Sequence, residues 1–129
     1  MSLQIHYQQK AADVVTVFLS GSLDSNTHAL FETELQTILT EYPTLKLLVL
    51  DFDSLDYISS AGIRVTLSAK KKLKALGGQL GLLNLQPQIQ KVFDIIKALP
   101  SFQIFDSTAE LDRYLTAIQK KVLEEKREL

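Results

Sequence analysis

The sequence predicts one layered α/β domain whose later strands are partly parallel. Three observations predict it. Two strand-like stretches open the chain, apolar helical and strand-like segments alternate after them, and a run of four apolar residues sits near the middle. At 129 residues the chain suits one core. Residues 1–123 read as the domain, and the charged stretch Glu124 to Leu129 as a tail that frays into solvent.

Leu3, Ile5 and Tyr7 alternate with polar residues, the period of a half-buried strand. Val14 to Leu19 is rich in β-branched residues and runs to Gly21, a bend. Ser25, Asn26 and Thr27 offer caps for a helix with Leu30, Phe31, Leu35 and Ile38 on its buried stripe, and Pro43 ends it. Within Leu45 to Phe52, the run Leu47-Leu48-Val49-Leu50 is apolar on both faces, which suits a central strand covered on both sides. A short loop carrying Asp51, Asp53 and Asp56 is expected to lead from it to a helix beginning near Ser59-Ser60-Ala61-Gly62, with Gly77 and Gly78 as C-terminal caps.

Leu80 to Leu85 reads as another strand, and Pro87 as the first turn of a helix buried through Ile89, Val92, Phe93, Ile96 and Leu99. Pro100 stops that helix, and Phe102 to Phe105 form the last strand. Ser107 and Glu110 have capping-box spacing before a terminal helix with Leu111, Tyr114, Leu115, Ile118 and Val122 on one face.

Composition narrows function by exclusion. The net charge of -1 gives no general pull toward nucleic acid. There are no cysteines, so thiolate chemistry and cysteine-ligated zinc are ruled out. The two histidines, His6 and His28, lack metal-ligand spacing, so no metal site, triad or cofactor is expected. Gly77, Gly78 and Gly81 lack the Walker pattern. Lys70-Lys71-Lys72-Leu73-Lys74 reads as a solvated helix face able to steer an acidic partner. Met1 to Lys10 lacks the apolar run of a signal peptide, and no segment reads as a membrane span, so the expected location is cytoplasmic. Asp51 and Asp53 invite comparison with a phosphoacceptor receiver domain. The acidic pair and lysine of such domains are missing where Tyr7-Gln8-Gln9 and Asp106-Ser107 stand.

Ser60 draws the most attention. Ser59 or Ser60 is the natural N-cap of the middle helix. A helix N-terminus also tolerates an added phosphate, which brings about -1.5 to -2 charges. The plainer reading is a cap and nothing more. On a helical wheel Ala61, Val65, Ala69, Leu73 and Leu76 face the sheet, and Ile63 and Leu67 fall near Ser60, Arg64 and Lys71. That group reads either as the centre of a docking patch or as contacts to a neighbouring element.

These residues resemble the STAS family, in particular the bacterial anti-sigma factor antagonists. The resemblance runs from Ile5 to about Lys120. It is carried by Gly21-Ser22-Leu23-Asp24, Leu48 to Asp51, Tyr57-Ile58-Ser59-Ser60-Ala61-Gly62-Ile63-Arg64, Leu82-Leu83-Asn84-Leu85 and Phe105-Asp106-Ser107 to Glu110. It implies a mixed sheet of four to five strands flanked by about four helices. The sequence holds no nucleophile–base pair, metal cluster or cofactor loop, so no enzymatic activity is expected. The partner implied by the resemblance is an anti-sigma factor of histidine-kinase-like fold, which binds the unphosphorylated chain and releases it after phosphorylating Ser60. A PP2C-type phosphatase reverses the step. Many antagonists carry aspartate where Ser59 stands and serine or threonine where Ala61 stands, which leaves Ser59 as the alternative acceptor. Asp24, otherwise a turn residue, is implied to lie beside Ser60 on the partner-facing surface. A second class of reading is an adaptor subunit of a lipid-transport ATPase, in which Ser60 is only a cap.

Overall fold

A computed structural model describes the backbone of residues 2–95, 97 and 102–128, with the side chains of these apart from 122 and 126–128. Strands β1 (Leu3–Ala11) and β2 (Val14–Leu23) form an antiparallel hairpin around Ala12 and Asp13. Helix α1 (His28–Glu41) leads to β3 (Leu47–Ile58), which enters α2 (Ser60–Ala75) through Ser59 alone. Then come β4 (Gln79–Leu83), α3 (Pro87–Ile95), β5 (Gln103–Phe105) and α4 (Thr108–Glu128). The five strands lie in the order β1-β2-β3-β4-β5, with every pair from β2 onward parallel. The expected mixed sheet with four helices is present.

Side-chain alternation splits the core between the two sheet faces. Val15, Val17, Leu19, Leu48, Leu50, Leu80 and Leu82 join Phe31, Leu35, Ile38, Ala69, Leu73, Ile89 and Phe93 from α1, α2 and α3. On the other face Val14, Leu47, Val49, Leu83 and Phe105 meet Leu111, with Tyr114 and Leu115 partly buried against them. Leu47 to Leu50 are all buried, as a strand covered on both faces requires.

Local signals act as the sequence predicts. Gly77 has φ +82°, and Gly78 N–H donates to Leu73 O at 2.7 Å, closing α2 with a left-handed cap. Glu110 N–H donates to Ser107 Oγ at 3.2 Å, starting α4.

Other expectations change. Leu30 is 47% exposed and Leu76 53%. The stripe of α1 passes through Phe31, Leu35 and Ile38, one position away from Leu30, while Leu76 is the C-cap of α2 and lies past its last buried turn. The charged tail belongs to α4, whose backbone stays helical to Glu128, in keeping with the helix-forming Leu, Glu, Lys and Arg there. Ile96, Leu99, Pro100, Leu129 and the side chain of Val122 lie outside the described residues.

The largest change concerns the acidic stretch after Leu50. It is strand, not loop. β2 continues to Leu23 and pairs with β3 as far as Ile58. Two register shifts put one extra β3 residue between the Phe18–Asp51 and Ser20–Ser54 pairs, and another between Gly21–Leu55 and Ser22–Tyr57. Such bulges bend a strand and re-aim its side chains.

Candidate functional site

The start of α2 is fixed by backbone and side-chain contacts at the C-terminal end of β2 and β3. Ser59 N–H donates to Leu23 O at 2.8 Å. The Ser59 carbonyl accepts from Ile63 N–H at 3.1 Å, the first turn of the helix. Ser59 Oγ accepts from Gly62 N–H at 3.4 Å, a long capping bond. Ser59 is therefore the N-cap, with extended backbone and a half-buried side chain. Ser60 is the first helical residue and is exposed. Among the described residues its hydroxyl makes no hydrogen bond.

Gly62 sets how closely the helix approaches. A Cβ there would sit 2.6 Å from Leu23 Cγ and 3.0 Å from Ile58 Cγ1. Only a residue without a side chain lets α2 start directly on the ends of β2 and β3.

The loop after β2 lies beside this helix start, because Leu23 is bonded to Ser59. Asp24 Oδ1 accepts from Asn26 N–H at 2.9 Å and Thr27 N–H at 3.1 Å, while Thr27 Oγ1 accepts from Asp24 N–H at 2.9 Å and donates to Ser22 O at 2.9 Å. Asp24 is thus a turn-former, half-buried, in the segment next to Ser59. Thr27 is the N-cap of α1, although its hydroxyl serves this turn rather than the helix.

Ser60, Arg64, Leu67 and Lys71 follow at helical spacing on the outer side of α2. Arg64 and Lys71 are exposed and Leu67 is partly buried against the core. Ile63 does not belong with them. It is 2% exposed and sits in the main core. The buried arc of α2 takes in Gly62, Ile63, Val65 and Thr66, wider than one sheet-facing stripe. Tyr57, which the sequence marks only as part of a longer motif, is 49% exposed two residues before Ser59.

The three aspartates part company. Asp51 is buried, and its Oδ1 accepts from Asp53 N–H at 2.9 Å and Asn84 Nδ2 at 3.2 Å. It holds Asn84 in a left-handed turn at φ 55° and has a structural part. Asp53 and Asp56 are exposed. Gln86, which no sequence signal singles out, donates from Nε2 to Phe52 O (3.2 Å), Asp53 O (2.6 Å) and Leu55 O (3.0 Å).

His6 stacks on Phe18 with ring centroids 5.7 Å apart. Among the described residues no three metal-ligating side chains gather, and no helix is long and apolar enough to cross a membrane. A groove of about 650 Å³ lies at the other end of the sheet, between Val14, Leu47 and α4. None of the sequence-predicted site residues lines it.

Residues 7–111 match the family profile of the STAS domain. Over 59 residues the chain is 46% identical to BtrV of Bordetella bronchiseptica, which carries a provisional name as an anti-sigma factor antagonist. That match covers 46% of this chain and 51% of BtrV, so it spans about half the length of that relative. An anti-sigma F factor antagonist of Paenibacillus polymyxa is 24% identical over 107 residues, 83% of this chain and 90% of the relative. Among solved structures, the anti-sigma factor antagonist SpoIIAA in its unphosphorylated form superposes with a TM-score of 0.68 at 23% identity, covering 86% of this chain and 97% of that one. Its phosphorylated form, from Bacillus, gives 0.67 at 22%, covering 86% and 99%. At these identities the likeness to the solved structures is one of fold.

Proposed function

Because the chain belongs to the STAS domain family, we propose that it is an anti-sigma factor antagonist switched by phosphorylation at Ser60. The unphosphorylated form binds an anti-sigma factor of histidine-kinase-like fold, which is also the serine kinase. Transfer of one phosphate to Ser60 ends the complex, and a PP2C-type phosphatase restores it. The chain itself catalyses nothing in this scheme.

One observation carries the choice of residue. The capping duty falls on Ser59, which leaves the neighbouring Ser60 hydroxyl exposed at the first helical position. The partner-facing surface is then Asp24, Ser59, Ser60, Arg64, Leu67 and Lys71, with Tyr57 added and Ile63 removed. Arg64 and Lys71 favour an acidic partner surface. Phosphate on Ser60 acts by charge: it adds negative charge to a region that already holds exposed Asp56 and half-buried Asp24, and it weakens attraction to an acidic partner. The names of the relatives support the reading, since antagonists of anti-sigma factors recur among them.

The test is incubation with the cognate kinase and ATP, followed by mass spectrometry. One phosphate on Ser60 is expected, with none on Ser60→Ala. Transfer to Ser59, or no transfer at all, refutes the assignment.

A further inference from the structure

β3 outruns its partner on one side. Its last pairing with β4 is Asp51–Leu83, whereas its pairing with β2 continues to Ile58. From Phe52 onward, among the described residues, one edge of β3 therefore has no strand beside it, and this is the stretch that enters the first turn of α2 through Ser59.

The side chain of Gln86 takes the place of that missing strand. Its Nε2 lies 3.2, 2.6 and 3.0 Å from the carbonyl oxygens of Phe52, Asp53 and Leu55. In a regular strand successive carbonyls point to opposite edges. The bulge between Asp51 and Ser54 breaks that alternation, and two consecutive carbonyls, Phe52 and Asp53, turn toward one amide. Two N–H groups serve three acceptors, so one is shared. The amide orientation is dictated by chemistry, since backbone carbonyls accept only and must face the NH2 end. The opposite end is held as well: Gln86 Oε1 accepts from Gln88 Nε2 at 2.8 Å. The Gln86 carbonyl accepts from Ile89 N–H and Gln90 N–H at 2.9 and 2.8 Å, which anchors the residue as the entry to α3.

We propose that Gln86 is the positioning residue for the phosphoacceptor serine, a clamp from the β4–α3 connection that holds the bulged end of β3 and so fixes where α2 presents Ser60. The role of Ser60 rests on the function proposed above; the clamp itself does not. Without the clamp, the backbone of Phe52 to Ile58 is paired with β2 alone, and only the buried side chains of Phe52, Leu55 and Ile58 hold the segment to the rest of the core. The helix start then samples several positions, and the hydroxyl spends less time where a kinase meets it.

Two variants separate the clamp from simple loss of packing. Gln86→Glu keeps the shape and replaces both donors with a charged acceptor aimed at three carbonyls. Gln86→Leu removes the polar group. At neutral pH both are expected to raise amide hydrogen exchange over residues 52–60 at least tenfold, with β1 and the first half of β2 unchanged. Both are expected to slow Ser60 phosphorylation about tenfold, through kcat more than KM. Acid separates them. Once protonated, the carboxyl introduced by Gln86→Glu is neutral and donates one O–H. Protection over residues 52–60 therefore returns in that variant as pH falls, and not in Gln86→Leu. Asp51, Asp53 and Asp56 are present in the same region of all three proteins, so the readout is the difference between the two variants at each pH.

Unchanged exchange over residues 52–60 in Gln86→Glu overturns the clamp. Raised exchange with unchanged kinetics at Ser60 overturns the positioning role. Absence of phosphate on wild-type Ser60 refutes the functional reading and the positioning role with it, while the exchange measurements still decide the clamp.

Discussion

Ser59 and Ser60 are neighbours of identical chemistry with different surroundings, and single substitutions should tell them apart. Ser59→Ala removes the bond to Gly62 N–H, a loss of about 0.5–1 kcal/mol at the weak end for caps. Urea denaturation should show it, while phosphorylation at Ser60 persists. Ser60→Ala should leave the denaturation curve unchanged and abolish phosphate uptake. Gly62→Ala drives a methyl group into Leu23 and Ile58 and should destabilise by about 1–3 kcal/mol, as overpacked cores do. Ile63 offers a contrast with Leu67. Buried Ile63→Ala should cost about 2–4 kcal/mol of stability. Leu67→Glu, at a half-buried position, should cost less stability and more partner affinity, measured by calorimetry against the anti-sigma factor. These pairs mark where the sequence was readable. A serine before a helical pattern is a local signal. Whether Ile63 faces solvent depends on how many elements α2 packs against, which a single helical wheel does not contain.

Elements with local signals are legible in the same way. Gly77 and Gly78, Pro87, and Ser107 with Glu110 each mark a boundary by their own backbone or side-chain chemistry. The far half of β3 has no such mark. Asp51, Asp53 and Asp56 read as a loop because they interrupt an apolar run. That segment is strand only because β2 runs alongside it and Gln86 covers its other edge, both non-local facts. A second link between elements has a pH signature. Tyr7 on β1 donates its hydroxyl to Glu41 Oε2 at 2.8 Å, at the end of α1. That hydrogen bond to Glu41, helped by burial and by the carboxylate charge, raises the Tyr7 pKa above its ordinary 10.0. Above about pH 10 the unfolded chain loses the Tyr7 proton first, so folding stability falls as pH rises through that range. Tyr7→Phe should flatten this alkaline limb, read from denaturant midpoints between neutral and alkaline pH.

For the whole molecule, the order of strands and helices along the chain was enough to foresee a layered α/β domain, and the resemblance foresaw its family. The sequence placed the candidate site where a buried strand runs into a helix, and β3 does enter α2 at Ser59. The splitting of the core was not foreseen in detail. Among the described residues Leu111, Tyr114 and Leu115 of α4 cover one face, while α1, α2 and α3 cover the other. The strands also lie side by side in the order in which they occur in the chain. A growing polypeptide can therefore extend its sheet in one direction, each new strand meeting a neighbour that has already been made, and only α4 must cross to the opposite side at the end. During synthesis the end of β3 and the start of α2 would take shape against β2 before β4 and the Gln86 connection emerge, so residues 52–60 would become rigid only after that connection is made. Limited proteolysis of ribosome-arrested chains with the Gln86 connection still inside the exit tunnel, and of longer ones in which it has emerged, would register that delay as a protease-sensitive stretch at 52–60 that closes only in the longer chain.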